Sequence, residues 1–337
     1  MARRSRKAEQ LRQEIISSVP AEQRKLIVQP VTFTYLKGEM TMMQTRIQTV
    51  IIEKLQDKIK KALERKRKEG FVGDLFASED YKPIDANDRT KYLTFRVAYS
   101  ELGIEPQHYN DVDLAAKSMM SIIYEKDLSN GQKRYVTAFP VVDIDKDVPG
   151  KRRQYIYLHM TESTAKDLFH ITPYHKYLKD AIFLFSSNYS GRIYLLINAN
   201  KDLGTWVCSY ELLRKILLTS YDKETGKVSV DKYRDINDFK KRVLEPARRE
   251  IAAAAERIDC TFEYEFQYPA GKKRGTPENV LFHIHLTELG RKMKQKRIEG
   301  FSPAQEMSSQ PLHKPTAKSN DTIATVTDNS FKGQGEW

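Results

Sequence analysis

Two basic clusters carry the residue types best suited to chemistry with a polyanion. Lys240, Lys241, Arg242, Arg248 and Arg249 lie within INDFKKRVLEPARREIAAAAERI (236–258), and Lys272, Lys273 and Arg274 within PAGKKRGTPE (269–278). A guanidinium presents a planar fork that bonds O6 and N7 of guanine, and Lys or Arg holds phosphate oxygens. With Phe239 as origin and about 100° per residue, Phe239, Val243, Leu244, Ala247, Ile251, Ala254 and Ile258 gather on one side of a helix. Lys241, Arg242, Glu245, Arg248, Arg249, Ala252 and Glu256 gather on the other. The spacing predicts an amphipathic helix with a cationic outer face, capped by Asn237 or Asp238. Pro246 removes one backbone donor and is expected to kink, loosen or split it. A plain solvated face would share this pattern. The basic loop immediately downstream tips the reading toward double-stranded DNA.

A second chemistry to weigh is metal-assisted strand cleavage. His283 and His285 alternate in VLFHIHL (280–286) and share one face of a strand. Rolling-circle nickases use such a His-hydrophobic-His pair to hold a metal, with a tyrosine as nucleophile. Here Val280, Phe282, Ile284 and Leu286 supply the apolar face that an ordinary strand needs, and no tyrosine follows residue 285. The structural reading is the stronger. No GxxxxGK[ST] phosphate loop occurs, and the two cysteines, Cys208 and Cys260, exclude a four-cysteine zinc site. The expectation is a chain with no catalytic residue, no metal and no cofactor, which acts by binding.

The chain has 337 residues, a net charge of +12 and 40% hydrophobic residues, enough for a core. The charge is uneven: +9 over residues 1–70, −1 over 71–203, +5 over 204–301 and −1 over 302–337. No apolar run approaches a membrane span, and MARRSRKAEQ is followed by no secretory h-region. A cytoplasmic location and a reduced environment are expected. Residues 1–24 read as a basic arm and 301–337, rich in Ser, Thr, Pro and Asn, as a disordered tail.

The elements that must position the clusters follow from periodicity. Met43, Ile47, Val50, Ile51, Leu55, Ile59 and Leu63 predict one helix over 41–68, with Thr41 as N-cap. Its end, KKALERKRK, reads as a solvated terminus whose cations suit the helix dipole. Further helices are expected at 111–126, 161–169, 180–199, 209–221 and, as a short turn, 231–236. Strands are expected at 92–99, 133–145, 153–160, 261–268 and 280–286. Helices followed by a two-stranded ribbon with a basic tip describe a winged helix, whose last helix enters the major groove. A similar order earlier in the chain predicts an α+β protein of two tandem winged-helix domains, 25–203 and 204–300. Helix 111–126 carries Asp111, Asp113, Lys117, Glu125 and Lys126 and has no cationic face. The first domain is therefore expected to serve mainly dimerisation or partner contact, with DNA contact from its other helices left open, and the second specific DNA binding.

Two stretches resemble the tandem winged-helix replication initiator (Rep) proteins of theta-replicating plasmids. SSNYSGRIYLLI (186–197) is similar to the family's Ser-x-Tyr-Ser-x-Arg-Leu-Tyr helix. YRDINDFKKRVLEPARREIAAAAERIDCTFEYEF (233–266) is similar to its Tyr-x-x-Phe-Lys-x-x-Val-Leu-x-x-Ala-x-x-Glu-Ile block and wing. Gly191 departs from the family's branched residue, at a cost of about 1 kcal/mol in a helix interior. Ala252 to Ala254 depart from its usual Asn. The resemblance implies binding to repeated origin sequences (iterons), help in opening the adjacent duplex, and recruitment of host replication proteins including the replicative helicase. It also implies a homodimer in equilibrium with monomer, the dimer repressing its own gene. A winged-helix transcriptional regulator without initiator activity is the alternative.

Overall fold

A computed structural model describes residues 25–70, 74–146, 153–169, 173–221, 228–230, 232–271 and 275–299. The basic arm, the tail and the loop cations Lys272, Lys273 and Arg274 lie outside the described residues.

The chain enters through β1 (Leu26–Pro30), whose ladder ends at a proline that cannot donate, and one helical turn follows at Val31–Thr34. Helix α1 (Met42–Lys54) starts in a capping box: Thr41 Oγ1 accepts from the Gln44 N–H while Gln44 Oε1 accepts from the Thr41 N–H. The predicted helix over 41–68 is in fact two. At Leu55 ψ relaxes to −1°, and α2 (Gln56–Glu69) leaves in a new direction until Gly70, at φ 72°, closes it. Ile47, Val50, Ile51 and Ile59 are fully buried on the two helices.

Next come β2 (Tyr92–Ala98), α3 (Tyr109–Ser118), β3 (Ile123–Asp127), β4 (Lys133–Thr137), β5 (Val141–Ile144) and β6 (Tyr155–Thr161). Two expectations are corrected here. Helix 111–126 stops at Ser118, and residues 123–127 form a hairpin with β4. Strand 133–145 divides at Phe139–Pro140, where the chain leaves β4 for a different sheet. That sheet has the antiparallel order β2–β6–β5. His159 staples its three strands: Nδ1 lies 2.9 Å from Thr94 Oγ1 and Nε2 3.0 Å from Asp143 Oδ2.

Helix α4 (Glu162–Leu168) is capped by Thr161, as the pattern of 161–169 predicts, and β7 (Tyr174–Leu178) returns to pair with β1. The predicted helix over 180–199 is interrupted. Helix α5 (Lys179–Leu184) ends at Phe185, a polar loop crosses Ser186–Asn188, and α6 (Ser190–Asn200) begins. Arg46 holds the gap by donating to the Phe183 and Phe185 carbonyls, each at 3.2 Å.

The last third contains β8 (Thr205–Ser209), which periodicity missed, α7 (Tyr210–Leu218) and the hairpin strands β9 (Ser220–Tyr221) and β10 (Val228–Ser229). The expected helical turn at 231–236 is a turn in which Tyr233 takes φ 50°. A helix of three parts follows: α8 (Ile236–Phe239), a π-helical turn (Lys240–Leu244) and α9 (Glu245–Ala253). Strands β11 (Cys260–Gln267) and β12 (Asn279–Leu286) and helix α10 (Glu288–Glu299) complete the described fold. Strand β8 pairs with β12, giving the order β11–β12–β8. Buried side chains form one contiguous core from Ile27 to Leu289. No helix among the described residues is long and apolar enough to cross a membrane.

Candidate nucleic-acid interface

The basic helix is set by its approach. Arg214 on α7 donates to the carbonyls of Val230 at 2.8 Å and Lys232 at 2.9 Å, and also to that of Tyr233. Three carbonyls on one guanidinium fix the left-handed turn at Tyr233. The cap is Asp235 rather than Asn237 or Asp238; its Oδ1 accepts from the N–H groups of Asn237 at 2.7 Å and Asp238 at 3.3 Å. Phe239, Val243, Leu244, Ala247 and Ile251 are fully buried beneath the helix.

Pro246 acts as expected, but by a specific device. It can give no hydrogen bond to the carbonyl one turn back, and the preceding residues widen into the π turn. On a regular wheel Arg248 falls at the flank of the outer face, about 100° from the middle of the apolar side, and it reaches toward β11. Arg249 falls near the centre of that face and is exposed.

The contacts bear this out. Lys240, Lys241, Arg242 and Arg249 are exposed. Arg242 lies over the Tyr233 ring at 5.9 Å, with Nε 4.0 Å from Asp238 Oδ1. Arg248 instead bridges two carboxylates, with Nη2 3.1 Å from Glu245 Oε2 and Nη1 3.1 Å from Glu263 Oε1. The Tyr264 hydroxyl donates to Glu245 Oε1 at 2.7 Å. Tyr264 and then Arg248 hold the Glu245 carboxyl below its usual range. Arg248 therefore binds the helix to the wing strand in the free protein.

Sequence reasoning missed three anchors. Glu250 Oε1 accepts from the Ser186 N–H at 2.6 Å and its hydroxyl at 2.7 Å, and Oε2 from the Ser187 N–H at 3.2 Å. Asp259, buried beyond the helix, accepts from Tyr194 at 2.5 Å and from Asn198 at 2.9 Å, and pairs with Lys201 at 2.5 Å. Glu39 accepts from Tyr189 at 2.9 Å and pairs with Lys232, next to the turn that launches the helix. Glu250 sits within the quoted Glu-Ile block, a visible signal with no visible partner. Asp259 and Glu39 carry no such mark.

His283 and His285 point away from the core, on the opposite face of β12 from buried Val280, Phe282 and Ile284. His283 Nε2 is 3.7 Å from Glu265 Oε1. No group of three metal-ligating side chains occurs among the described residues. Phe262 is buried, and Tyr264 and Phe266 pack at the edge of the core.

A helix packed on a sheet of order β11–β12–β8, with a hairpin wing after it, defines a winged-helix DNA-binding domain. Residues 223–284 match the family model described as initiator Rep protein, WH2. The match covers the basic helix, β11 and all but the last two residues of β12, and supports a Rep-type plasmid replication initiator, the family that the two sequence blocks resemble. No curated protein matches the chain.

Proposed function

We propose that the chain initiates plasmid replication by binding iterons at the origin, promoting opening of the adjacent duplex and recruiting host replication proteins, the replicative helicase among them. One observation carries the reading: the segment matching initiator Rep proteins is a winged helix whose Lys240, Lys241, Arg242 and Arg249 face outward. In this reading these cations enter the major groove, and Lys272, Lys273 and Arg274 on the wing tip hold the flanking backbone. Arg248 contributes by fixing the helix against the wing. The protein acts by binding alone, with no catalytic step, cofactor or metal, and it works in the cytoplasm.

The sheet order supports two winged helices in tandem. In both β2–β6–β5 and β11–β12–β8 the central strand is the last in sequence and its neighbours are the first and the second. The first unit then serves dimerisation and partner contact, and the dimer represses its own gene.

The test is maintenance of a plasmid that carries only the origin repeats, with this protein supplied from elsewhere in the cell. Maintenance by the wild type and loss with K241A/R242A is the expected result. Repression of a promoter without maintenance would make the protein a transcriptional regulator instead. Covalent attachment of the chain to nicked origin DNA would overturn the non-catalytic reading.

A further inference from the structure

We infer that Glu245 reads a cytosine in the major groove, its carboxylate accepting the free N4–H of that base. The inference rests on the reading of the basic helix as the one that enters the groove, and it adds a residue to which that reading gives no role.

On a wheel of about 100° per residue, Glu245 falls near the middle of the outer face, between Lys241 and Arg249. Two other carboxylates of this helix are placed differently. Asp238 lies beside Arg242 near its start, and Glu250 is bound to Ser186 and Ser187.

The Glu245 side chain is held in place. Tyr264 donates to Oε1 at 2.7 Å, and Arg248 donates to Oε2 through Nη2 at 3.1 Å and Nε at 3.3 Å. Tyr264 and then Arg248 also keep the carboxyl ionised. A carboxylate has about four lone-pair sites. These three bonds leave one free, on Oε1, and the side chain stays 28% exposed.

Fold stability does not explain this placement. A surface pair at i, i+3 contributes little. The helix dipole acts within the first turn, and this helix starts at Ile236, more than two turns earlier. A carboxylate at the centre of a face that meets phosphates weakens binding unless it makes a bond of its own in the complex.

One fixed acceptor discriminates among the bases. Guanine N7 and O6 and thymine O4 are acceptors and repel it. Adenine offers N6–H, but flanked by its own N7 and the O4 of its partner. Cytosine offers N4–H beside an apolar C5–H, so it is the base that a lone carboxylate favours. Lys241, Arg242 and Arg249 around Glu245 offset its repulsion from the phosphates.

The test selects binding sites from a randomised duplex pool with the full chain and with its E245A and Y264F variants. The wild type is expected to require cytosine at one position, with about a tenfold loss on other bases. E245A should lose that requirement and keep the other preferences. Y264F, which frees the carboxylate, should weaken it. N4-methylcytosine at that position replaces the free N4–H by a methyl group and keeps the base pair. It should weaken the wild type about tenfold and leave E245A unchanged. The methyl arm needs only the wild-type chain, so it decides even if E245A melts early. If E245A selects the same cytosine, or if N4-methylcytosine nowhere weakens the wild type, the role of Glu245 alone is overturned. Failure of the wild type to enrich any motif overturns the DNA-reading helix, and this inference with it.

Discussion

Glu250 on α9 accepts two hydrogen bonds from Ser186, one from the backbone at 2.6 Å and one from the hydroxyl at 2.7 Å. A carboxylate on the helix proposed to enter the groove would repel phosphate, so charge alone predicts tighter binding once it is removed. Its contacts predict the reverse. Replacing Glu250 by Ala should lower stability by about 1–2 kcal/mol, the worth of charged hydrogen bonds discounted for exposure. It should also shrink the preference for origin repeats over mixed sequence. Denaturant melts and competition titrations check both; a tighter, equally selective variant would refute the positioning role.

Arg248 and Arg242 should separate cleanly. Arg248→Ala removes the link between Glu245 and Glu263 and is expected to cost up to about 1 kcal/mol of stability. Arg242→Ala should leave stability within about 0.5 kcal/mol. If Arg242 holds a phosphate, its loss lowers the salt slope by about one. Equal behaviour of the two variants in melting would contradict a stabilising role for the two ion pairs of Arg248.

Two glycines make opposite predictions. A Cβ on Gly290 would sit 2.0 Å from the Asp259 carbonyl oxygen, backbone that cannot step aside. Gly290→Ala should cost about 2–3 kcal/mol or more. A Cβ on Gly191 would meet Met42 Cε at 2.8 Å, the far end of a flexible thioether. There the gain of about 1 kcal/mol in helix propensity offsets the shift, and Gly191→Ala should be near neutral. Chemical denaturation of both variants decides.

Stability should also depend on pH through His175. Burial pushes its pKa down to about 4, while Nε2 stays 2.7 Å from Thr34 Oγ1 and Nδ1 3.3 Å from Asn198 Oδ1. The unfolded chain takes up a proton near pH 6.5 and the native state resists until about pH 4. Stability from this group is full above about pH 6.5 and falls between there and pH 4, by about 2–3 kcal/mol in all. His175→Asn should flatten that part of the pH–stability curve, measured by urea titration at stepped pH.

The sequence carried most of the apolar skeleton, because periodicity registers burial directly. The strands Cys260–Gln267 and Asn279–Leu286 and the helix Tyr210–Leu218 stand where alternation and helical spacing predict them. Periodicity does not register interruptions that preserve an apolar face. It ran α1 into α2 through Leu55, and α5 into α6 across Ser186–Asn188. It also overlooked Thr205–Ser209, too short a run to alternate visibly. The basic face was legible in the helical spacing, but the carboxylates Glu245 and Glu263 that engage Arg248 on its flank were not. The anchors Glu250, Asp259 and Glu39 depend on partners at least 58 residues away in sequence, beyond the reach of local pattern.

Helix α6 has a practical consequence for dissecting the protein. Its Tyr194 and Asn198, with Lys201 just past its end, hold Asp259, and the loop before it holds Glu250. A fragment begun at residue 204 would cut every one of these bonds and strand two carboxylates, one of them buried. A fragment begun near residue 179 would carry its own donors. Poor behaviour of the shorter piece would then reflect where the chain was cut, not any inability of the winged helix to stand by itself.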